Sequence, residues 1–231
     1  MFIFDPLYFV FLAPALLLGM YAQWKVMAAY QAGSRLRSRS GVTGAQAAAY
    51  ILRAADVRGV RIEDVPGQLT DHYSPGEKTL RLSPDVYEGN SISSLGIAAH
   101  EVGHAIQDSR GYIPLVVRNA IVPLANFGSI AGIILLMLGF ILAMSGLVWI
   151  GIFVFSATVL FQLVNLPVEF DASRRARKML LSTGLITVEE EPEVARVLNA
   201  AALTYVAATV TSIVTLLYYI FQAGGLGRSD E

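Results

Sequence analysis

The sequence predicts a mainly α membrane protein, with four transmembrane helices and a small α+β cytoplasmic domain. Of its 231 residues, 55% are hydrophobic and 15% are charged, whereas about a quarter are charged in ordinary soluble proteins. Three stretches, residues 6–24, 119–168 and 197–227, contain no Asp, Glu, Lys or Arg. Because a helix of about 20 residues crosses ~30 Å of hydrocarbon, these stretches predict an integral membrane protein.

The first stretch predicts an uncleaved membrane anchor. It begins almost at the amino terminus, and the positive charges near it, starting with Lys25, all follow it. This order is the reverse of that in a cleavable signal peptide, where the positive charges come first. We therefore expect a transmembrane helix with its amino terminus outside the cell.

The other two stretches predict three more transmembrane helices. The 50 uncharged residues at 119–168 are too many for one helix, and Ser145-Gly146 is a turn signal within them. We expect a hairpin of two helices, about 120–143 and 147–166, and a fourth helix at about 201–222. Gly128 and Gly132 form a GxxxG motif, which predicts close helix packing and offers a surface for an oligomer.

The distribution of positive charge predicts the orientation. Eleven of the 17 Lys and Arg residues lie in 25–118 and five in 169–196, and only Arg228 follows the last span. The positive-inside rule therefore places both polar segments in the cytoplasm and both termini outside. The predicted organisation is an anchor at 1–28, a cytoplasmic domain at 29–118, a helical hairpin at 119–167, a cytoplasmic helical segment at 168–200, and a last helix with a short tail at 201–231.

The segment 29–118 mixes helix and strand signals. Thr43 and Gln46 form a capping-box pattern that predicts a helix at about 44–55. A short strand is expected at 60–65, a hairpin of strands at 67–73 and 78–83 around the turn Ser74-Pro75-Gly76, and then a second helix to about 109 with Ser93 or Ser94 as its N-cap. In the second polar segment, Thr187 and Glu190 form another capping box.

The second helix carries an HExxH motif, His100-Glu101-Val102-Gly103-His104. Residues four apart on a helix differ by about 40° around its axis and ~6 Å along it, so His100 and His104 present two imidazoles to one point. Glu101 lies beside that point, where a carboxylate can take a proton from a zinc-activated water and return it to a leaving amine. With no cysteine in the chain, we expect one Zn²⁺ held by His and carboxylate ligands.

A third protein ligand is needed, and the residues alone leave it open. His72 is the remaining histidine, and Glu169 and Asp171 are the best-placed carboxylates because the helical hairpin returns them to the membrane face of His104. Residues two apart point about 200° away from each other on a helix, so at most one of Glu169 and Asp171 faces the ion.

These motifs resemble a known family. The chain resembles the YugP-like neutral zinc metallopeptidases of bacteria over most of its length. The resemblance rests on an early span followed, in this order, by the stretches DHYSPGEKTLRLSPDVY, SLGIAAHEVGHAIQ and PVEFDASRRA. HEVGH followed by two spans and Glu169-Phe170-Asp171-Ala172-Ser173 also looks like the HExxH and ExxAD motifs of HtpX-type and CAAX-type gluzincins. The resemblance implies a zincin-like cytoplasmic domain, Glu169 as the third zinc ligand, and a bacterial plasma membrane.

The same resemblance raises candidates around the metal. Ser173 stands where HtpX-type motifs have an aspartate, so Asp171 or Asp108 is expected to orient a zinc-bound histidine instead. His72 or Tyr73 would stabilise the oxyanion, as gluzincins use a His or Tyr for this. Arg174 would contact substrate or support Glu169.

The predicted function is that of a zinc-dependent endopeptidase acting on membrane-associated or cytosolic polypeptides, with Glu101 as general base. Two alternatives stay open: a zinc-binding membrane scaffold without catalysis, and a site-2-type intramembrane protease. The net charge of −1 and the lack of a Lys/Arg block argue against nucleic acid as a partner.

Overall fold

The computed structural model describes residues 6–226, and these are mainly helical with one small sheet. The elements in chain order are α1 (Pro6–Ser34), α2 (Gly44–Ala54), β1 (Arg61–Asp64), β2 (His72–Ser74), β3 (Thr79–Leu82), α3 (Pro84–Tyr87), α4 (Ile92–Ser109), α5 (Ile113–Ile141), α6 (Ser145–Ser182) and α7 (Glu191–Leu226). In this part of the chain α1, α5, α6 and α7 are long and apolar enough to cross a membrane, which confirms the predicted four spans. Arg228 and the predicted outer tail lie outside the described residues.

The turn between α5 and α6 lies just before the predicted Ser145-Gly146. Ala143 has a left-handed φ of 54°. Its N–H donates to the carbonyl of Phe140, and the N–H of Met144 donates to that of Gly139, which is the Schellman pattern of a helix end. Glycine usually takes the left-handed position, so Ala143 carries no sequence signal for it.

The predicted third span and the predicted cytoplasmic helix after it form one continuous helix, α6. Pro167 lies inside α6. Proline lacks the N–H of one intrahelical bond and disfavours a helical residue before it, so this continuity goes against local preference. The continuous helix fixes Glu169, Asp171 and Ser173 on the turns that directly follow the proline.

One compact unit comprises the described residues up to 22, residues 117–166 and those from 204. Its glycines allow α5 and α6 to pack closely. A Cβ on Gly128 would lie 2.6 Å from the carbonyl oxygen of Val154, and one on Gly132 would lie 2.9 Å from Cα of Phe155. The predicted GxxxG motif thus packs two helices of the same chain, and an oligomer through it stays a prediction.

The second unit comprises residues 23–116 and 167–203. Its sheet has the order β1-β3-β2, with β1 parallel and β2 antiparallel to β3. The predicted hairpin is present, and Tyr73 of β2 pairs with Leu80 of β3. Its first strand begins at His72 and not at residue 67, because Leu69, with a φ of 56°, interrupts the extended backbone. β2 is an edge strand of the sheet.

Helices α2 and α4 pack together in the core of this unit. The capping box of α2 is present: Thr43 Oγ1 accepts from Gln46 N at 3.2 Å, and Thr43 N donates to Gln46 Oε1 at 3.0 Å. The fully buried core residues include Ile51, Leu80, Leu82, Leu95 and Val102.

The N-cap of α4 differs from the prediction. Ser91 is the cap, and its Oγ accepts from Ser94 N at 3.0 Å. Ser93 and Ser94 lie inside the helix, where their hydroxyls donate to the carbonyls of Tyr30 and Asp85. Three serines within four positions give the same local signal, and these tertiary contacts decide which one is the cap.

Candidate metal centre

Two histidines of α4 and one glutamate of α6 converge in the second unit. Glu169 Oε2 lies 3.3 Å from His100 Nε2 and 3.6 Å from His104 Nε2. One ligand atom from each of the three residues lies within 4.8 Å of the other two. Over residues 6–226 this is the one group of three or more His or carboxylate side chains arranged to hold a metal ion.

A glycine allows the two helices to bring these groups together. A Cβ on Gly103 would lie 2.6 Å from the carbonyl oxygen of Ala172, far closer than real Cβ atoms approach. The glycine of HEVGH therefore lets the backbones of α4 and α6 meet between the ligands that each helix supplies. On other positions of α4, Ala98, Ala99 and Val102 are fully buried in the core and fix the helix.

The donor set fits zinc. Two imidazole nitrogens and one carboxylate oxygen are the protein ligands of many catalytic zinc sites, which keep a fourth position for water or substrate. The Glu169 side chain is 5% exposed, and its ion pairs within the described residues are with His100 and His104. A buried carboxylate requires a positive partner, and a divalent cation between these three side chains would supply it.

Gln107 fixes the orientation of His104. The Gln107 side-chain nitrogen lies 2.8 Å from the carbonyl oxygen of Val168 and 3.0 Å from Asp171 Oδ2, which can only accept when ionised. Gln107 Oε1 must then be the atom that faces His104 Nδ1, at 3.0 Å. His104 Nδ1 therefore carries the proton, and its Nε2 presents a lone pair to the metal position.

Ser173 plays the corresponding part at the other histidine. Its Oγ lies 3.1 Å from His100 Nδ1.

Asp171 accepts hydrogen bonds from Arg174 and, at 2.5 Å, from Arg175 Nε, which keep its carboxylate charged. Asp171 thus reaches His104 only through Gln107. Sequence reasoning missed Gln107, whose one signal is its place three residues after His104.

Glu101 lies beside the three ligands and is tied to the sheet. Its Oε2 accepts a hydrogen bond from the backbone N–H of Tyr73 at 3.0 Å, and the residue is 9% exposed. This contact joins the HExxH helix to the edge strand β2. It also leaves Glu101 outside the ligand group while keeping its carboxylate next to it.

Asp108 contacts the β2–β3 hairpin and no histidine, in contrast to the prediction that it orients one. Its Oδ2 accepts from the Tyr73 hydroxyl at 2.7 Å and from Lys78 Nζ at 2.5 Å. Burial and the hydrogen bond to Asp108 raise the pKa of Tyr73, so the phenol stays protonated and donates. The geometry explains the difference, since Asp108 faces the sheet and Asp171 faces Gln107.

His72 and Arg174 lie at the periphery of the site. His72 is exposed, and its Nδ1 lies 2.8 Å from the carbonyl oxygen of Thr70. The Arg174 side chain is 77% exposed and binds Asp171. The hydroxyl of the other oxyanion candidate, Tyr73, donates to Asp108 in this conformation.

The surroundings of the centre shift the pKa of two further groups, His104 and Asp71. Burial alone would lower the pKa of His104. The hydrogen bond with Glu169 and the negative charges of Glu101 and Glu169 have the larger, opposite effect, so the pKa of His104 is raised. Burial raises the pKa of Asp71, and the charge of Glu101 adds to this, although hydrogen bonds from Ser83 oppose it. The centre therefore has an excess of negative charge that attracts a cation.

Comparisons with known proteins agree with this chemistry. A family model described as "Putative neutral zinc metallopeptidase" matches residues 8–224. "Putative membrane protease YugP" of Bacillus subtilis (strain 168) is 46% identical over 213 residues, covering 92% of this chain and 95% of that protein. No solved structure matches the chain significantly. The chain therefore belongs to the family of neutral zinc metallopeptidases that this model describes.

Proposed function

We propose that the protein is a membrane-embedded zinc endopeptidase with Glu101 as its general base. The observation that carries the proposal is the convergence of His100, His104 and Glu169 next to a glutamate that is not a ligand. A zinc site with a purely structural role needs no base at that position. The family and the membrane-protease relative support the same reaction class.

The chain's own residues supply a path for the proton. Zinc, when bound by His100, His104 and Glu169, would activate water and polarise the scissile carbonyl. The Glu101 carboxylate takes the proton of the attacking water and delivers it to the nitrogen of the leaving amine. The N–H of Tyr73 holds Oε2 in place during both transfers, which favours a fixed geometry over a mobile one.

The edge strand β2 is the proposed binding surface for an extended polypeptide. Edge strands leave backbone groups available for one more strand, and extended peptides bind proteins in this way. The Tyr73 N–H is already engaged by Glu101, so the peptide would pair with other backbone groups of this edge. β2 contacts Glu101 through Tyr73, so a peptide along this edge would pass beside the base. We also propose that this domain, which combines the HExxH helix α4 with the three-stranded sheet, is zincin-like.

The proposed site faces the cytoplasm, and both termini face outward. The support is the excess of Lys and Arg in 25–118 and 169–196. Helix α4 is not among the four helices that are apolar enough to span the membrane, which favours this arrangement over a site-2-type intramembrane protease.

The test compares wild type with Glu101→Gln for cleavage of unfolded casein, at equal and measured zinc content in detergent. We expect both proteins to bind one zinc and only the wild type to cleave, with at least about a 10²-fold loss in the variant. Equal cleavage by Glu101→Gln would contradict the role of Glu101. One bound zinc without cleavage by either protein would favour the scaffold alternative.

A further inference from the structure

A cavity lies in the same unit as the candidate metal centre, at the amino-terminal end of α4. It has a volume of about 570 Å³, and its lining includes Gln31, Arg35, Arg37, Gln68, Asp85 and Asn90. None of the three proposed metal ligands lines it. His100 lies nine residues beyond Ser91, which also lines the cavity, so the two sites are ~14 Å apart along the helix axis.

The cavity holds two arginines whose charge is not neutralised by a neighbouring carboxylate. Within residues 6–226, neither Arg35 nor Arg37 has an ion pair, although Arg39 pairs with Glu189 at 3.6 Å. Asp85 also lines the cavity, and its Oδ2 accepts a hydrogen bond from the Tyr30 hydroxyl at 3.4 Å. Two guanidinium groups against one carboxylate give the lining a net positive charge.

The backbone holds these charges against the start of a helix. Arg37 forms a β-bridge with Ser91, the N-cap of α4, and the N–H of Ile92 donates to the carbonyl of Leu36 at 2.9 Å. The first turn of α4 contains no acidic residue. No acidic side chain of the helix thus offsets the positive end of its dipole, which adds to the attraction for an anion.

We propose that this cavity binds a phosphate group. The planar fork of arginine donates two parallel hydrogen bonds to phosphate oxygens, and two such forks match a tetrahedral group better than a single carboxylate. Gln31, Gln68 and Asn90 add amide groups for the phosphate or its substituent. Two sources carry this chemistry: the headgroup of a membrane lipid, because α1 is a membrane-spanning candidate that ends at this cavity, and a soluble phosphate.

Binding is measured on the full chain in detergent micelles, so the result is independent of peptidase activity and of the proposed function. The probes are phosphatidylglycerol, diacylglycerol with the same acyl chains, sodium phosphate, and sodium acetate, at about 0.15 M salt to screen exposed charges. Arg35→Gln/Arg37→Gln is compared with Arg39→Gln/Arg58→Gln, which loses the same charge outside the cavity. Retained helical content shows that each variant is folded.

We expect the wild type to bind phosphatidylglycerol or sodium phosphate, and Arg35→Gln/Arg37→Gln to bind it about tenfold more weakly or worse. Arg39→Gln/Arg58→Gln keeps the wild-type affinity. Binding of the lipid without sodium phosphate identifies a headgroup site, and binding of both identifies a general phosphate site. The proposal is overturned if neither phosphate probe binds, if acetate or diacylglycerol binds equally well, or if the two double variants behave alike.

Discussion

At the scale of single residues, the contacts of Gln107 explain how an uncharged side chain can control metal binding. Gln107→Ala leaves the Nδ1–H of His104 without its acceptor and frees the histidine to rotate or change tautomer. Losing such a partner of a metal-binding histidine typically weakens metal affinity 10–100-fold, and we expect about that loss here. Competition with a zinc chelator of known affinity measures it.

Asp108→Asn is the matched control for this prediction, because Asp108 follows Gln107 in the chain but contacts Tyr73 and Lys78. We expect its zinc affinity to stay at the wild-type value. If Asp108→Asn weakens zinc binding and Gln107→Ala does not, the assignment based on the resemblance is right and the one drawn from the contacts is wrong.

Asp71 gives a prediction for the dependence of stability on pH. Burial raises the pKa of Asp71, so this carboxyl stabilises the folded state when protonated and loses that contribution as the pH rises through its folded pKa. In the wild type, the Ser83 N–H donates to Asp71 Oδ1 at 2.7 Å. Asp71→Asn keeps an oxygen that can accept this hydrogen bond, but its side chain cannot ionise. Relative to wild type, the variant should therefore become more stable as the pH rises.

Thermal unfolding of the two zinc-free proteins between acidic and neutral pH checks this sign. Asp56→Asn serves as a control for the loss of one carboxylate, since the Asp56 side chain is 75% exposed. A melting temperature of Asp71→Asn that falls relative to that of wild type as the pH rises would contradict the prediction.

At the scale of secondary structure, the close approach of α4 and α6 predicts the effect of one methyl group. Gly103→Ala would place Cβ 2.6 Å from the carbonyl oxygen of Ala172 and force the helices apart. We expect a cost of about 1–3 kcal/mol in unfolding free energy and a large loss of zinc affinity, because Glu169 moves away from the histidines. Unfolding midpoints and zinc competition measure the two effects.

Gly96→Ala is the control on the same helix. A Cβ there would meet its nearest neighbour, Cγ1 of Val194, at an ordinary 3.4 Å. Because alanine favours a helix over glycine, we expect this variant to keep zinc and to gain up to about 1 kcal/mol of stability. Equal zinc affinities for Gly96→Ala and Gly103→Ala would show that the close contact is not needed for the site.

These elements also show what the sequence can predict. The capping box at Thr43 and the i, i+4 pair His100 and His104 are local patterns, and both are found in the structure as expected. The continuity of α6 through Pro167 and the left-handed Ala143 go against local preference, and packing overrides it. Gln107 escapes prediction because its partners lie on α6, more than 60 residues away in sequence.

At the scale of the whole molecule, the number of spans and their orientation rest on different physics. Length and hydropathy determine the four spans, and the structure agrees with that count over the described residues. Orientation depends on charges outside the hydrocarbon and on the membrane itself, which the fold of the chain does not record. The proposed cytoplasmic position of the site therefore needs its own experiment.

The absence of cysteine from the chain makes that experiment direct, because single cysteines can be introduced without removing any others. Gly146→Cys tests the α5–α6 turn region, where a Cβ meets no atom within 4 Å, and Arg58→Cys tests the 23–116 segment, where the side chain is 89% exposed. If the positive-inside rule holds, a membrane-impermeant maleimide labels Gly146→Cys in intact cells and labels Arg58→Cys only after lysis. The reverse labelling pattern would place the HExxH helix outside the cell and make extracellular polypeptides the substrates to test.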